Sequence, residues 1–446
     1  MEGRIRRRLG ALLAAAMAAL MLSPQLGAVS RLPEELVLGA GTVTELAVSS
    51  AVRVDATAVE TARDGAGGAL RLTAGEAGDG ELRFSLLGLV PLRTVKLSVQ
   101  PQRRLVPGGQ SVGVALRTGG VVVVGNSDLG RTPSPARLAG LKSGDVITSV
   151  DGSAVGGAKE LAASIANGGT AHLRLLRDGD VLECDVTPAR DERDGQYRLG
   201  AWVRDSTAGV GTLTYYDPAG GGFGALGHAI TDVDTGVVMP VGEGALYNNT
   251  VVAVTPSEAG APGELTGDFL GETEALGSVA LNSESGIFGT MDAPPEGALY
   301  PEGLPVARRE DVHPGAASLI TTVGGREARE YACEIVRLSD RSQGAARALV
   351  VRVTDPALLA ATGGIVQGMS GSPILQDGRI VGAVTHVMVN DPTMGYGILI
   401  DSMLKQGDAC ASPCFSMISV YQPRLSIRMY PTTPRQLQQA KRSFTM

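Results

Sequence analysis

The chain has 446 residues, a formal net charge of -7, 61 glycines and only 4% aromatic residues. The acidic balance excludes a broad basic surface for nucleic acid, and the length exceeds what one core supports, so about three domains are expected. Glycine at about twice its usual share favours short strands and tight turns, hence a mainly β protein. Of the four cysteines, Cys184, Cys333, Cys410 and Cys414, only the last two are close enough in sequence for a local disulfide. None forms a Cys-x-x-Cys set of the kind a zinc site needs.

In chain order, Arg4, Arg6, Arg7 and Arg8 precede an apolar run from Leu9 to Leu22 that ends in Ser23-Pro24 and small residues. A positive segment, an apolar core and a small-residue end predict a signal peptide or membrane anchor over residues 1–30, and with it export across the cytoplasmic membrane. Residues 31–100 alternate in short bursts broken by Gly, Asp and Glu, which predicts a small β module. Residues 101–190 contain Ser134-Pro135-Ala136, Gly140-Leu141-Lys142-Ser143-Gly144-Asp145-Val146-Ile147 and Val150-Asp151-Gly152, and resemble a bacterial PDZ domain of α+β type. The resemblance implies that Ser111, Val112, Gly113 and Val114 form a loop whose backbone N–H groups receive a peptide terminus added as a strand. On that expectation a bulky residue at Gly113 impairs peptide docking and leaves acyl chemistry intact.

The run Arg190-Asp191-Glu192-Arg193-Asp194 reads as a solvated linker, with a further domain over 195–425 and a basic tail over 426–446. Within that domain, glycines crowd the N-terminal side of His228, which marks it among the four histidines His172, His228, His313 and His386 as the candidate general base. Asp232 and Asp234 lie close to it in sequence. Asp355 stands before Pro356, at the end of a strand, and His386 lies on a strand face with a structural role expected. Gly368-Met369-Ser370-Gly371-Ser372-Pro373 carries the chemistry: Gly368 and Gly371 permit a turn that presents the Ser370 hydroxyl while the N–H groups of Gly368 and Ser370 converge as an oxyanion hole. Ser372, before proline, is pushed to extended geometry and is not the expected nucleophile. Residues 374–384 read as a hairpin about Asp377-Gly378.

A PDZ segment ahead of Gly224-Ala225-Leu226-Gly227-His228, of residues 363–373 and of Ala383-Val384-Thr385-His386-Val387 resembles serine peptidase family S55, the stage IV sporulation protein B peptidases of endospore-forming bacteria. The resemblance implies a chymotrypsin-like double β-barrel and a triad of His228, Asp355 and Ser370. It further implies self-cleavage and cleavage of a membrane-bound regulator of an intramembrane protease complex, leading to activation of the mother-cell sigma factor, with the enzyme in the forespore intermembrane space. Asp355 precedes Ser370 by only fifteen residues, fewer than in digestive relatives. The reading from a different class is an inactive PDZ scaffold that signals by binding a partner's terminus.

Overall fold

The computed structural model describes residue 29 and residues 32–411, apart from 42, 64–68, 178, 270, 272–273 and 340–343. The N-terminal apolar run, Cys414 and the basic tail lie outside the described residues. The chain divides into two compact units, residues 1–103 and 104–446.

The first unit contains β1 (Glu35–Gly39), β2 (Val43–Ala47), β3 (Val52–Ala56), β4 (Val59–Arg63), β5 (Ala69–Ala74), β6 (Gly78–Leu86) and β7 (Val90–Gln100). They make a four-stranded sheet in the order β1-β7-β6-β3 and a three-stranded sheet in the order β2-β5-β4. Leu82, Phe84 and Leu86 alternate with more exposed neighbours along β6, so period-two patterning supplies one buried face. Those side chains close over Val29, Leu38, Val52, Leu72, Val95 and Leu97 in one core.

The second unit opens with β8 (Arg104–Pro107) and the long β9 (Ser111–Asn126), followed by α1 (Pro135–Leu138), β10 (Val146–Val150), β11 (Ser153–Ala154), α2 (Ala158–Ser164), β12 (Ala171–Arg177) and β13 (Asp180–Val186). Ser134 caps α1 by accepting from Arg137 N, with Pro135 in the first turn. Val121, Val123, Ile147, Leu161, Leu173 and Leu175 form the core of this PDZ segment. The charged run is more than a linker. Asp191 is buried, accepts hydrogen bonds from the backbone and guanidinium of Arg193 and pairs with Arg198, between the short strands β14 (Ala189–Arg190) and β15 (Tyr197–Arg198).

The peptidase segment continues with β16 (Ala201–Asp217), β17 (Gly222–Ala225), β18 (Glu243–Asn248), the hairpin β19 (Thr250–Thr255) and β20 (Glu264–Asp268), β21 (Gly277–Ser283), β22 (Gly286–Met291) and β23 (Leu304–Pro305). Strands β9, β18, β21, β22, β17 and β16 pair in that order, and β16 pairs back onto β9, which closes a first barrel. The second closed barrel follows the order β24 (Gly315–Thr321), β25 (Arg329–Leu338), β26 (Leu349–Val353), β29 (Met394–Leu399), β28 (Arg379–Val387) and β27 (Pro373–Gln376). Between β26 and β27 lies α3 (Pro356–Thr362), and α4 (Ile400–Ala411) follows β29. The fold is thus mainly β, with a PDZ segment and two barrels.

This topology corrects the peptide-loop expectation. Ser111, Val112, Gly113 and Val114 are buried strand residues of the first barrel, paired with Gly209 to Thr212 of β16 on one edge. On the other edge, Val112 to Val114 pair with Leu246 to Asn248 of β18. Val112 and Val114 sit in the barrel core with Leu226 and Ile230. Both ladders are filled, so a peptide cannot add there as a strand.

Candidate active site

The turn that carries Ser370 is gripped by one strand from each barrel. From β16, Thr212 N–H donates to the Ser370 carbonyl at 2.9 Å and Thr212 Oγ1 donates to the Gly368 carbonyl at 2.8 Å. From the β28 side, Gly371 N–H donates to the Val384 carbonyl at 2.7 Å. Gly371 has φ +97, and a Cβ there would stand 2.1 Å from the Thr212 carbonyl oxygen, so only glycine fits. With these bonds made, the N–H groups of Gly368 and Ser370 have no protein acceptor among the described residues. Two donors without protein partners, separated only by Met369 in a held turn, are available to a bound oxyanion.

The Ser370 hydroxyl rests on the Thr385 carbonyl at 2.7 Å. The segment carrying His228 wraps the same turn: Leu226 N–H donates to Thr212 O at 3.2 Å, and a Cβ at Gly371 would meet Leu226 N at 2.5 Å. Leu226 and Gly227 both take positive φ, which swings His228 off the end of β17. His228 Nδ1 donates to the Ala229 carbonyl at 2.9 Å. A carbonyl can only accept, so Nδ1 carries the proton and Nε2 keeps its lone pair, the tautomer a base needs. Burial holds the His228 pKa below the usual histidine value, against the opposing pull of the Ala229 carbonyl.

His386 was expected to be structural, but its ring lies 4.8 Å from that of His228, centroid to centroid, at 37°. His386 as a residue is exposed. Desolvation of its packed face, then the nearby charges of His228 and Arg347, push its pKa down to about 4. Strand alternation had placed His386 on one face of β28 and could not say what covers that face. A second residue missed from the sequence is Asn282 of β21. Its Oδ1 accepts from Ile230 N at 2.9 Å, and its Nδ2 donates to Ile230 O at 2.7 Å and Met239 O at 2.9 Å, which clamps the chain just past His228.

Asp355 is not brought to the imidazole. It caps α3, accepting from Ala357 N at 2.9 Å and Leu358 N at 3.1 Å, and from Ala332 N at 3.3 Å. Those N–H groups, Leu358 first, hold its carboxyl below the usual range. His386 pairs with Tyr396, and Tyr396 with Val350. Asp355 lies five residues beyond Val350, roughly 15 Å at the rise of a strand. The reason is local: before proline and at a helix start, the carboxylate is best satisfied by the helix's own free N–H groups. Asp232 and Asp234 are also committed elsewhere. Buried Asp232 bonds Arg204 and the N–H groups of Asp234 and Thr235, and Asp234 pairs with Arg204 at 2.9 Å.

Ser372 is fully buried and its hydroxyl has no hydrogen-bond partner among the described residues. His172 pairs with Asp185 and His313 with Asp377, both at exposed positions. Among the described residues no group of three or more His, Cys, Asp or Glu could hold a metal ion, and no helix is long and apolar enough to cross a membrane.

Residues 195–404 match the family model described as SpoIVB peptidase S55, and residues 109–187 match that of the PDZ domain. A probable periplasmic serine endoprotease, DegP-like, of Brucella suis biovar 1 is 32% identical over 155 residues, which cover 33% of this chain and 28% of that protein. The protein of the same description from Brucella melitensis biotype 1 aligns to the same extent. The chain thus spans 28% of the length of these curated relatives. Among solved structures, the PDZ domain of the SdrC-like protein from Listeria monocytogenes is similar at 24% identity, covering 19% of this chain and 87% of that one, with a TM-score of 0.17. The Rv3671c protease from M. tuberculosis in its active form is similar at 15% identity, covering 46% and 74%, with a TM-score of 0.25. The HtrA-type protease AlgW with decapeptide is similar at 11% identity, covering 48% and 54%, with a TM-score of 0.26. Residues 195–404 are thus similar to the SpoIVB peptidase S55 family of serine peptidases, and the segment ahead of them to the PDZ domain.

Proposed function

We propose that the chain is an exported serine endopeptidase that cuts a membrane-bound regulatory protein and itself in sporulation signalling. The observation that carries the reading is the grip of Thr212 and Val384 on the Ser370 turn, which leaves the Gly368 and Ser370 N–H groups without protein acceptors beside the His228 segment. In the reaction, rotation about the Ser370 side chain releases Oγ from Thr385, and Oγ attacks the peptide carbonyl carbon as His228 Nε2 takes its proton. The carbonyl oxygen becomes an anion held by the two N–H groups. His228 then gives the proton to the leaving amine, and water repeats the sequence on the acyl enzyme.

In this reading Ala229 fixes the imidazole tautomer, a task a carboxylate performs in other serine peptidases. A carbonyl stabilises the imidazolium less than a carboxylate does, so slow, regulated turnover is expected. The sporulation role, self-cleavage, the regulator of an intramembrane protease complex and the forespore intermembrane space rest on the family resemblance. The scaffold alternative draws on the resting bond of Ser370 to Thr385. Against it, the strand a peptide would join already has both edges paired. A fluorophosphonate probe tests the reading: the purified chain should be labelled, and His228→Ala should lower the labelling rate by several powers of ten. A folded chain that takes no label supports the scaffold instead.

A further inference from the structure

The second barrel holds a cation beside the site that the reaction does not use. Arg347 ends the 3-10 turn Ala345–Arg347, and its Cζ lies over the Tyr396 ring, 5.2 Å from the centroid. An aromatic face attracts a guanidinium, but it gives the N–H donors no ordinary acceptor. No carboxylate pairs with Arg347 among the described residues, and the residue is exposed. Arg352, further along on β26, has Glu334 at 3.7 Å, so the missing anion is particular to Arg347.

Thr385 ties this turn to Ser370. Its buried side chain donates from Oγ1 to the Ala346 carbonyl at 2.6 Å, while its own carbonyl accepts from Ser370 Oγ at 2.7 Å. Tyr396 of β29 pairs with His386 of β28, so the two side chains share a face of the barrel. The His386 ring in turn lies 4.8 Å from that of His228. Arg347, Tyr396, His386 and His228 therefore follow one another along that face. With cross-strand neighbours about 5 Å apart, the guanidinium stands at most roughly 15 Å from the His228 ring. That is the reach of about four residues of extended peptide. The charge of Arg347 is felt along this line, since it is among the causes that hold the His386 pKa down.

We propose that Arg347 is a specificity-determining residue whose guanidinium receives the side-chain carboxylate of an Asp or Glu within about four residues of the bond that is cut. The inference rests on the peptidase reading above and adds to it the class of substrate, an acidic segment of polypeptide. A carboxylate fits better than an apolar or basic side chain, because it brings the charge that Arg347 lacks and its two oxygens match the planar fork of donors.

The test measures how peptides protect the full chain from a fluorophosphonate probe. Three pools of decapeptides are used, capped at both ends and random in neutral residues, with Glu, Gln or Lys fixed at the centre. Each rate is taken relative to the same variant's rate without peptide. The Glu pool should give half-protection at a concentration at least about fivefold lower than the Gln pool. In Arg347→Gln that gap should close, and in Arg347→Glu the Lys pool should protect better than the Glu pool. Arg347 is exposed, so both variants should fold, and the unmutated chain is decisive even where one does not. Labelling that the Glu and Gln pools slow equally, or not at all, in the unmutated chain overturns the carboxylate site and leaves the peptidase reading standing. A Glu preference that survives in Arg347→Glu also overturns it. A folded chain that takes no label overturns the peptidase reading, and the carboxylate site with it.

Discussion

At the residue scale, the site reads as a serine and a histidine whose supporting groups are mostly backbone. The turn from Gly368 to Gly371 was legible because both glycines take positive φ, which restricts the residue types that fit there. Asp355 was not, because the side-chain type that serves as a triad acid also serves as a helix cap, and the sequence before Pro356 suits both. The cap account predicts that Asp355→Asn, which keeps an accepting side chain for Ala357 and Leu358, leaves both the unfolding midpoint and the probe-labelling rate within about threefold of the parent. A fall of about a thousandfold or more with the fold intact would restore Asp355 to the triad. The histidine pair gives a pH prediction. His228 must be neutral to act, and its pKa lies below 6.5, so the acidic limb of the labelling profile should have its midpoint below 6.5. Stability follows the same sign. Unfolded histidines bind protons near 6.5, while His228 and His386 resist them, so stability is unaffected by these rings above that pH and declines as pH falls from 6.5 towards about 4. A labelling midpoint above 6.5 would contradict the packing described for His228.

At the element scale, β16 is the organising strand. Its N-terminal half pairs with the PDZ part of β9, and its C-terminal half brings Thr212 to the Ser370 turn. Between the two, Arg204 reaches the segment after His228 through Asp232 and Asp234. A Cβ at Gly144 of the PDZ segment would stand 3.0 Å from Val237 in that same segment, so the chain beyond His228 is held from the PDZ side and, through Asn282, from the barrel. None of this was visible in sequence, since Arg204 and Asp232 are joined only by the closure of the barrel. Arg204→Gln leaves Asp232 buried without its charge partner and should cost about 3 kcal/mol of stability. The labelling rate of the folded fraction should also drop by about tenfold or more as His228 loses its place. A variant that is destabilised but labels at the parent rate per folded molecule would limit Arg204 to a structural role.

At the scale of the whole molecule, the mainly β class was legible from glycine content and strand periodicity, and the PDZ segment and the barrels from motifs that resemble known families. The sharing of β9 was not. The motif Ser111-Val112-Gly113-Val114 suits a peptide loop and suits a barrel strand, and the choice depends on partners more than a hundred residues away or nearly so, in β16 and β18. A Cβ at Gly113 would stand 2.2 Å from the Phe269 ring, so Gly113→Val should destabilise the first barrel by about 1–3 kcal/mol and reduce probe labelling with it. Intact labelling with lost peptide binding would return these residues to a docking loop.

The central claim, that Ser370 is the nucleophile of this turn, is tested most directly by peptide mass spectrometry of the chain after reaction with a fluorophosphonate. The adduct should be on Ser370, absent in Ser370→Ala and present in Ser372→Ala, because Ser372 is fully buried and its hydroxyl is unpaired. An adduct on Ser372 in the unmutated chain, or no adduct on a demonstrably folded one, would contradict the account.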